Sequence, residues 1–155
     1  VKISVWTIGK TTEKYLQVGI ETYVKRLGFY TRFHYEEWKD VKAGQHPEET
    51  TKREGEMILS KLKPEDSLVL LDEKGKIVTS KGLATILEKS TVQSEKHLIF
   101  LIGGAYGHHP LLRQRANDVI SLSPMTFTHQ MARLILVEQL YRAFTIIRNE
   151  KYHNP

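Results

Sequence analysis

No cysteine occurs among the 155 residues. Disulfide frameworks, thiol nucleophiles and zinc or iron–sulfur centres built on thiolate are therefore excluded. Long apolar runs are missing as well. No window approaches the roughly 18 consecutive apolar residues that a membrane-spanning helix needs, so no membrane partner is expected. The opening residues VKISVWTIG hold one lysine and pass straight into strand-like alternation. They lack the apolar core and small-residue cleavage site of a secretory signal, and a cytoplasmic location is the expectation. Repeats, low-complexity tracts and Gly/Ser/Pro linkers are absent, which leaves one domain over residues 1–155.

What is present is globular in character: 40% hydrophobic and 26% charged residues in 17.9 kDa. A chain of this size buries about two-thirds of its unfolded surface. Lys plus Arg number 23 against 18 Asp plus Glu, giving +5. That excess suits an anionic partner, and it equally serves solubility.

Alternation over Val1–Ile8 predicts a strand. Helical spacing of Tyr15, Leu16, Gly19, Ile20, Tyr23, Val24 and Leu27 then predicts a helix from a Thr12 cap to Gly28. Thr31–Trp38 reads as an edge strand and Pro47–Leu62 as a helix stopped by Pro64. Ser67–Leu71 and His97–Ile102 are short, almost wholly apolar strands around a helix capped by Ser80. Such runs suit a parallel sheet covered on both faces. Pro110–Asn117 reads as a short helix, Val119–Leu122 as a strand and His129–Arg148 as the longest helix. The fold class is α/β.

Gly103, Gly104 and Gly107 follow a buried strand. Glycines there allow a tight turn and bring backbone N–H groups near a ligand. The G-G-x-x-G spacing is neither a dinucleotide fingerprint nor a P-loop, and a tight connection alone would also explain it. Asp72, at the end of another apolar strand, suits either a ribose hydroxyl or the turn it opens. The loop Leu122-Ser123-Pro124-Met125-Thr126-Phe127 has the apolar, hydroxyl-bearing character of one that wraps an adenine.

The last helix is apolar around much more than one face, as in a helix shared with a second copy or central to its own domain. Arg133 and Arg142 suit either pairing with Glu138 or binding phosphate. Tyr152 and His153 end the chain with groups able to cover a site or stack on a base. His108-His109 has no partner at metal-ligand spacing, no H-E-x-x-H occurs, and no metal is expected.

Several motifs in order carry a resemblance over essentially the whole chain: Leu71-Asp72, LIGG at Leu101–Gly104, SLSPMTFTH at Ser121–His129, VEQLYRA at Val137–Ala143 and Tyr152-His153. The sequence resembles the RlmH family of small methyltransferases, in the SPOUT superfamily. The resemblance implies a SPOUT-type α/β knot, a mostly parallel sheet with helices on both faces and a deep C-terminal trefoil knot. It implies S-adenosyl-L-methionine held around Leu71, Gly103, Gly104 and the loop Leu122, Ser123, Pro124, Met125, Thr126 and Phe127. It also implies a homodimer across the last helix, with methyl transfer to N3 of a pseudouridine in large-subunit ribosomal RNA within the assembled ribosome.

On that reading His129 or His153 assists deprotonation, Arg142 stabilises charge on a flanking carbonyl, and Tyr152 positions the base. Phosphate contacts are expected among Arg133, Arg142, Arg148 and Lys151. Two departures from the family's pattern stand out. Ala105-Tyr106 follows the paired glycines, and Gln130 replaces a proline, which is expected to loosen the start of the last helix. The rival readings are a related enzyme acting on another RNA, such as transfer RNA, and a non-enzymatic ribosome-associated factor of the same fold.

Overall fold

A computed structural model describes all of residues 1–155. The elements are β1 (Lys2–Ile8), α1 (Lys14–Leu27), β2 (Arg32–Trp38), α2 (Pro47–Lys61), β3 (Ser67–Ile77), α3 (Ser80–Val92), β4 (His97–Ile102), α4 (Pro110–Arg115), β5 (Asp118–Ser121) and α5 (His129–Ile147). The five strands form one sheet in the order β2-β1-β4-β3-β5, and every pairing is parallel.

Alternation along each strand divides the core. Leu98, Phe100 and Ile102 of β4 join Ile3, Val5 and Val69 under α1, α3 and α5. Ile99 and Leu101 point the other way, with Trp6, Ile8, Leu68 and Leu70, against Ile58 of α2 and Leu112 of α4. Burial on both faces is why these strands read as continuous apolar runs. β2 pairs only with β1 and is the half-exposed edge its polar content implied.

The caps differ from the sequence expectation. Thr12 caps nothing: helix α1 starts after Glu13, and the Thr12 backbone N–H donates to Gln130 Oε1 at 3.0 Å. Gln130 Nε2 also donates to Lys10 O at 3.0 Å. The residue expected to loosen the start of α5 instead ties it to the β1–α1 connection. Thr79, not Ser80, caps α3, by accepting from Gly82 N, while Ser80 Oγ donates to Gln139. Tyr15, assigned by spacing to the buried stripe of α1, is 65% exposed.

The strand expected to stop at Leu71 continues to Ile77. Leu71 pairs with Ile120 of β5; the chain then makes an excursion over Asp72–Gly75, and Lys76 pairs with the same Ile120. Asp72–Gly75, expected as a turn that ends the strand, instead lies inside it as the irregularity between Leu71 and Lys76, where Lys74 N donates to Asp72 Oδ1 at 2.8 Å. What spacing did not reveal is that the chain returns to the same partner strand. A Cβ on Gly75 would lie 2.7 Å from the Ile120 carbonyl carbon and 2.8 Å from Val119 O.

Candidate cofactor cleft and catalytic residues

The carboxyl ends of β4 and β5 and the Leu71–Lys74 stretch inside β3 open onto a cleft of about 520 Å³. Parallel α/β sheets place their ligands at such ends, because the loops there diverge above the strands. Leu71, Gly103, Gly104, Leu122, Ser123, Met125, Thr126, Phe127 and His129 all line it. Pro124, expected among them, is exposed and lies outside the lining. The Leu122–Phe127 loop is shaped by its own hydroxyls. Ser121 Oγ donates to Ser123 O at 2.8 Å, and Ser123 Oγ accepts from Met125 N at 3.0 Å. Thr126 Oγ1 donates to Glu73 at 3.0 Å, joining the loop to the Asp72–Gly75 excursion.

The glycines are present for space. A Cβ on Gly103 would lie 3.0 Å from Gly107 O and 3.1 Å from His108 Nδ1, and one on Gly104 would lie 2.6 Å from Glu54 Oε2. Asp72 is paired with Arg113, so of its two sequence readings the turn-and-anchor role is the one observed.

The sequence assigned His108 no role beyond the lack of a metal-ligand partner for His108-His109. The His108 Nε2–H donates to Leu71 O at 2.9 Å, which leaves Nδ1 as a buried acceptor without a partner. Burial lowers its pKa, and the Leu71 hydrogen bond only partly opposes this. His129 is similar. Burial and the Arg133 guanidinium lower its pKa, Asp40 opposes them, and its Nδ1 also lacks a partner. Both rings are therefore uncharged at neutral pH, and His129 is available to accept a proton. The sequence signal that could have singled out His108 was its place just after the glycine turn; its long-range bond to Leu71 had none.

Arg133 is not a phosphate contact. It is fully buried, with Nη2 donating to Ile8 O at 2.9 Å and Nη1 to Gly9 O at 2.9 Å, Thr11 Oγ1 at 3.0 Å and Glu37 at 3.2 Å. Nor does it pair with Glu138, whose partner is Arg142 at 2.5 Å, one helical turn further on. Around that pair the tail folds back. Tyr152 OH donates to Glu138 at 3.1 Å, and Arg142 stands 4.8 Å from the centre of the Tyr152 ring. Arg142 Nη1 donates to His153 Nδ1 at 3.3 Å. Burial and the hydrogen bonds with Tyr23 and Glu138 push the Tyr152 phenol pKa up. Arg148 lies over the Tyr30 ring and Lys151 is exposed.

The expected catalytic residues thus form two groups. His129 stands at the cleft. Arg142, Tyr152 and His153 stand together 13 residues further along α5, about 20 Å at 1.5 Å per residue, and none of the three lines the cleft.

An all-parallel α/β sheet with a glycine-turned, hydroxyl-rich cleft at its strand ends has the architecture in which such folds place small-molecule ligands. The profile of the family described as "Predicted SPOUT methyltransferase" matches residues 1–153, and the chain belongs to that family. It is similar to proteins named "Ribosomal RNA large subunit methyltransferase H" from three organisms. The Flavobacterium johnsoniae protein is 47% identical over 156 residues, 99% of each chain. The Flavobacterium psychrophilum protein is 46% identical over 99% of each. The Cytophaga hutchinsonii protein is 46% identical over 99% of this chain and 100% of its own length. No helix is long and apolar enough to cross a membrane, and no group of acidic and histidine side chains is placed to hold a metal.

Proposed function

We propose that residues 1–155 act as a single catalytic domain that methylates N3 of a pseudouridine in large-subunit ribosomal RNA. The substrate is the assembled cytoplasmic ribosome, and the enzyme works as a homodimer. The observation that carries this reading is the end-to-end match to three proteins named for methylation of that RNA.

The cleft fits S-adenosylmethionine. Its volume lies within the roughly 300–1,000 Å³ of small-molecule sites, and in its walls His108 and His129 each hold an orphaned ring nitrogen. Leu71, Gly103, Gly104 and the Leu122–Phe127 loop would hold the cofactor. When bound, it supplies a methyl group made electrophilic by a cationic sulfur.

The chain's own residues must then present N3 in line and take its proton, because an imide nitrogen is nucleophilic only once its N–H bond is weakened. His129, uncharged and at the cleft, suits the acceptor role. Arg142 suits a carbonyl beside N3, where negative charge develops. Tyr152 and His153 are held by Glu138 and Arg142 as a platform for the base. Since about 20 Å of helix separates the two groups, Arg142, Tyr152 and His153 would serve the cleft of a second copy. A largely apolar α5 supports such pairing, as do exposed Tyr15 and Val18 on the neighbouring α1.

The decisive assay is transfer of labelled methyl from S-adenosylmethionine to purified ribosomes, free large-subunit RNA and transfer RNA. Label at N3 of a pseudouridine in ribosomes alone is expected. Label in transfer RNA, or in no RNA, would overturn the substrate. The shared site predicts a second result. His129→Ala and Arg142→Ala should each lose about 10²-fold or more in methyl transfer, and co-expression should restore activity through mixed dimers with one intact site. No restoration would place both groups in one subunit's site.

A further inference from the structure

The parallel β1–β4 register pairs Thr7 with Ile102. Gly9 and Gly104 each lie two residues past the last residues so paired, Thr7 and Ile102. The side-chain space of both glycines is taken by carboxylates. Asp40 lies over Gly9 and Glu54 over Gly104, where a Cβ would meet Glu54 Oε2 at 2.6 Å. Gly104 is also a wall of the cleft. Glu54, from the middle of α2, therefore stands one backbone thickness behind the cleft. It is only 8% exposed, and no hydrogen bond to its carboxylate compensates for that burial.

We propose that Glu54 senses the charge on the bound cofactor's sulfur, drawing S-adenosylmethionine into the cleft and releasing S-adenosylhomocysteine once the methyl group, and with it the positive charge, has gone. The inference rests on the reading of the cleft as the cofactor site. It extends that reading with a residue that touches neither cofactor nor substrate and acts through the field across Gly104. In a partly desolvated wall such a field is far less screened than in water.

Its surroundings put the charge change of Glu54 near neutrality. Burial first, and then the like charge of Asp40, push its pKa up to about 7. His109 packs against the same turn of α2, at Gly55. Across Gly104, His108 and His129 have pKa values lowered by burial, and Arg133 is already engaged by Ile8, Gly9, Thr11 and Glu37. Arg53, on the same helix, donates to Lys42 O. In the cleft itself Asp72 is paired with Arg113, and Glu73 accepts from Thr126.

A cation nearby favours the ionised carboxylate. Binding of the sulfonium should therefore expel a proton from Glu54 below about pH 7, and affinity should rise with pH up to that point and then level. The neutral sulfur of S-adenosylhomocysteine should produce much less of this rise. The difference amounts to about tenfold in the affinity ratio for each unit by which the cation lowers the Glu54 pKa.

The test is titration calorimetry of the full chain with each ligand, from about pH 6 to about pH 8, in buffers of contrasting ionisation enthalpy. Expected for the wild type are proton release and a rising affinity with S-adenosylmethionine and a flatter profile with S-adenosylhomocysteine. In Glu54→Gln the two profiles should run parallel, with thermal melting confirming that the variant folds. Asp40→Asn keeps Glu54 and removes its like-charged neighbour, so the rise should move to lower pH. Parallel profiles in the wild type, or an unchanged difference in Glu54→Gln, would overturn the inference while leaving the cofactor site intact. Binding of neither ligand would overturn the cofactor reading and the inference with it.

Discussion

Gly75→Ala should cost about 3 kcal/mol or more of folding stability, at the upper end of overpacking penalties. A Cβ at this position meets only backbone: the Ile120 nitrogen and carbonyl carbon and the Val119 oxygen, all at 2.7–2.8 Å. No side-chain rotation relieves the overlap. Because Leu71 and Lys76 both pair with Ile120, the excursion cannot move outward without breaking the β3–β5 ladder. Leu71, Asp72, Glu73 and Lys74 also line the cleft, so residual folded protein should bind S-adenosylmethionine poorly. Urea denaturation and calorimetric binding check both effects. Gly28→Ala is the control. Gly28 has φ −61 at the end of α1, with only carbonyl oxygens of its own helix nearby, and its replacement should stay within about 1 kcal/mol. Equal losses in the two variants would show that the close β3–β5 approach does not matter.

Arg133→Ala should lower stability by about 3 kcal/mol, the low end of the cost of breaking a buried ion pair, and the melting temperature by about 10 °C. The guanidinium satisfies the carbonyls of Ile8, the last residue of β1, and of Gly9 just after it, and reaches Thr11 and Glu37. Glu37 is 30% exposed and can rehydrate, whereas the Ile8 and Gly9 carbonyls lose a donor inside the protein. Arg133→Lys should recover only part of the loss, because one ammonium cannot span Ile8 O and Glu37 as the planar fork does. A second consequence is local. Arg133 lowers the pKa of His129, so its removal should move that pKa upward, toward the ordinary histidine value. The His129 ring would then be protonated over a wider range of acidic pH, and the acid limb of methyl transfer should shift to higher pH. Thermal melts and a pH–rate profile measure the two effects separately.

Arg133 also shows why part of the site escaped sequence reasoning. Its neighbours in sequence offer Glu138 as a partner, and an arginine on a helix of a basic protein invites a phosphate role. Its real partners lie 96 to 125 residues away, at the end of β1 and on β2. Helical spacing describes which residues share a face and says nothing of what that face meets. Glu54 is a parallel case. Within Arg53-Glu54-Gly55-Glu56 it looks like one more solvated acid, and only the packing of α2 against the strand ends sets it over Gly104. His108 likewise takes its meaning from Leu71, 37 residues earlier.

By itself the sequence determined the element order, the two-faced burial of β3 and β4, the polar edge at β2 and the glycine turn at the cleft. These depend on the period of apolar residues and on local backbone preference, which operate over a few residues. Its motifs also carried the family resemblance, because the loop residues that form the cleft come in short contiguous blocks. The tertiary structure alone decided the strand order, the return of β3 to Ile120, the burial of Arg133, the seating of Asp40 over Gly9 and of Glu54 over Gly104, and the separation of His129 from Arg142. Each of these depends on which distant segments meet, and that is set by packing the whole chain around one sheet.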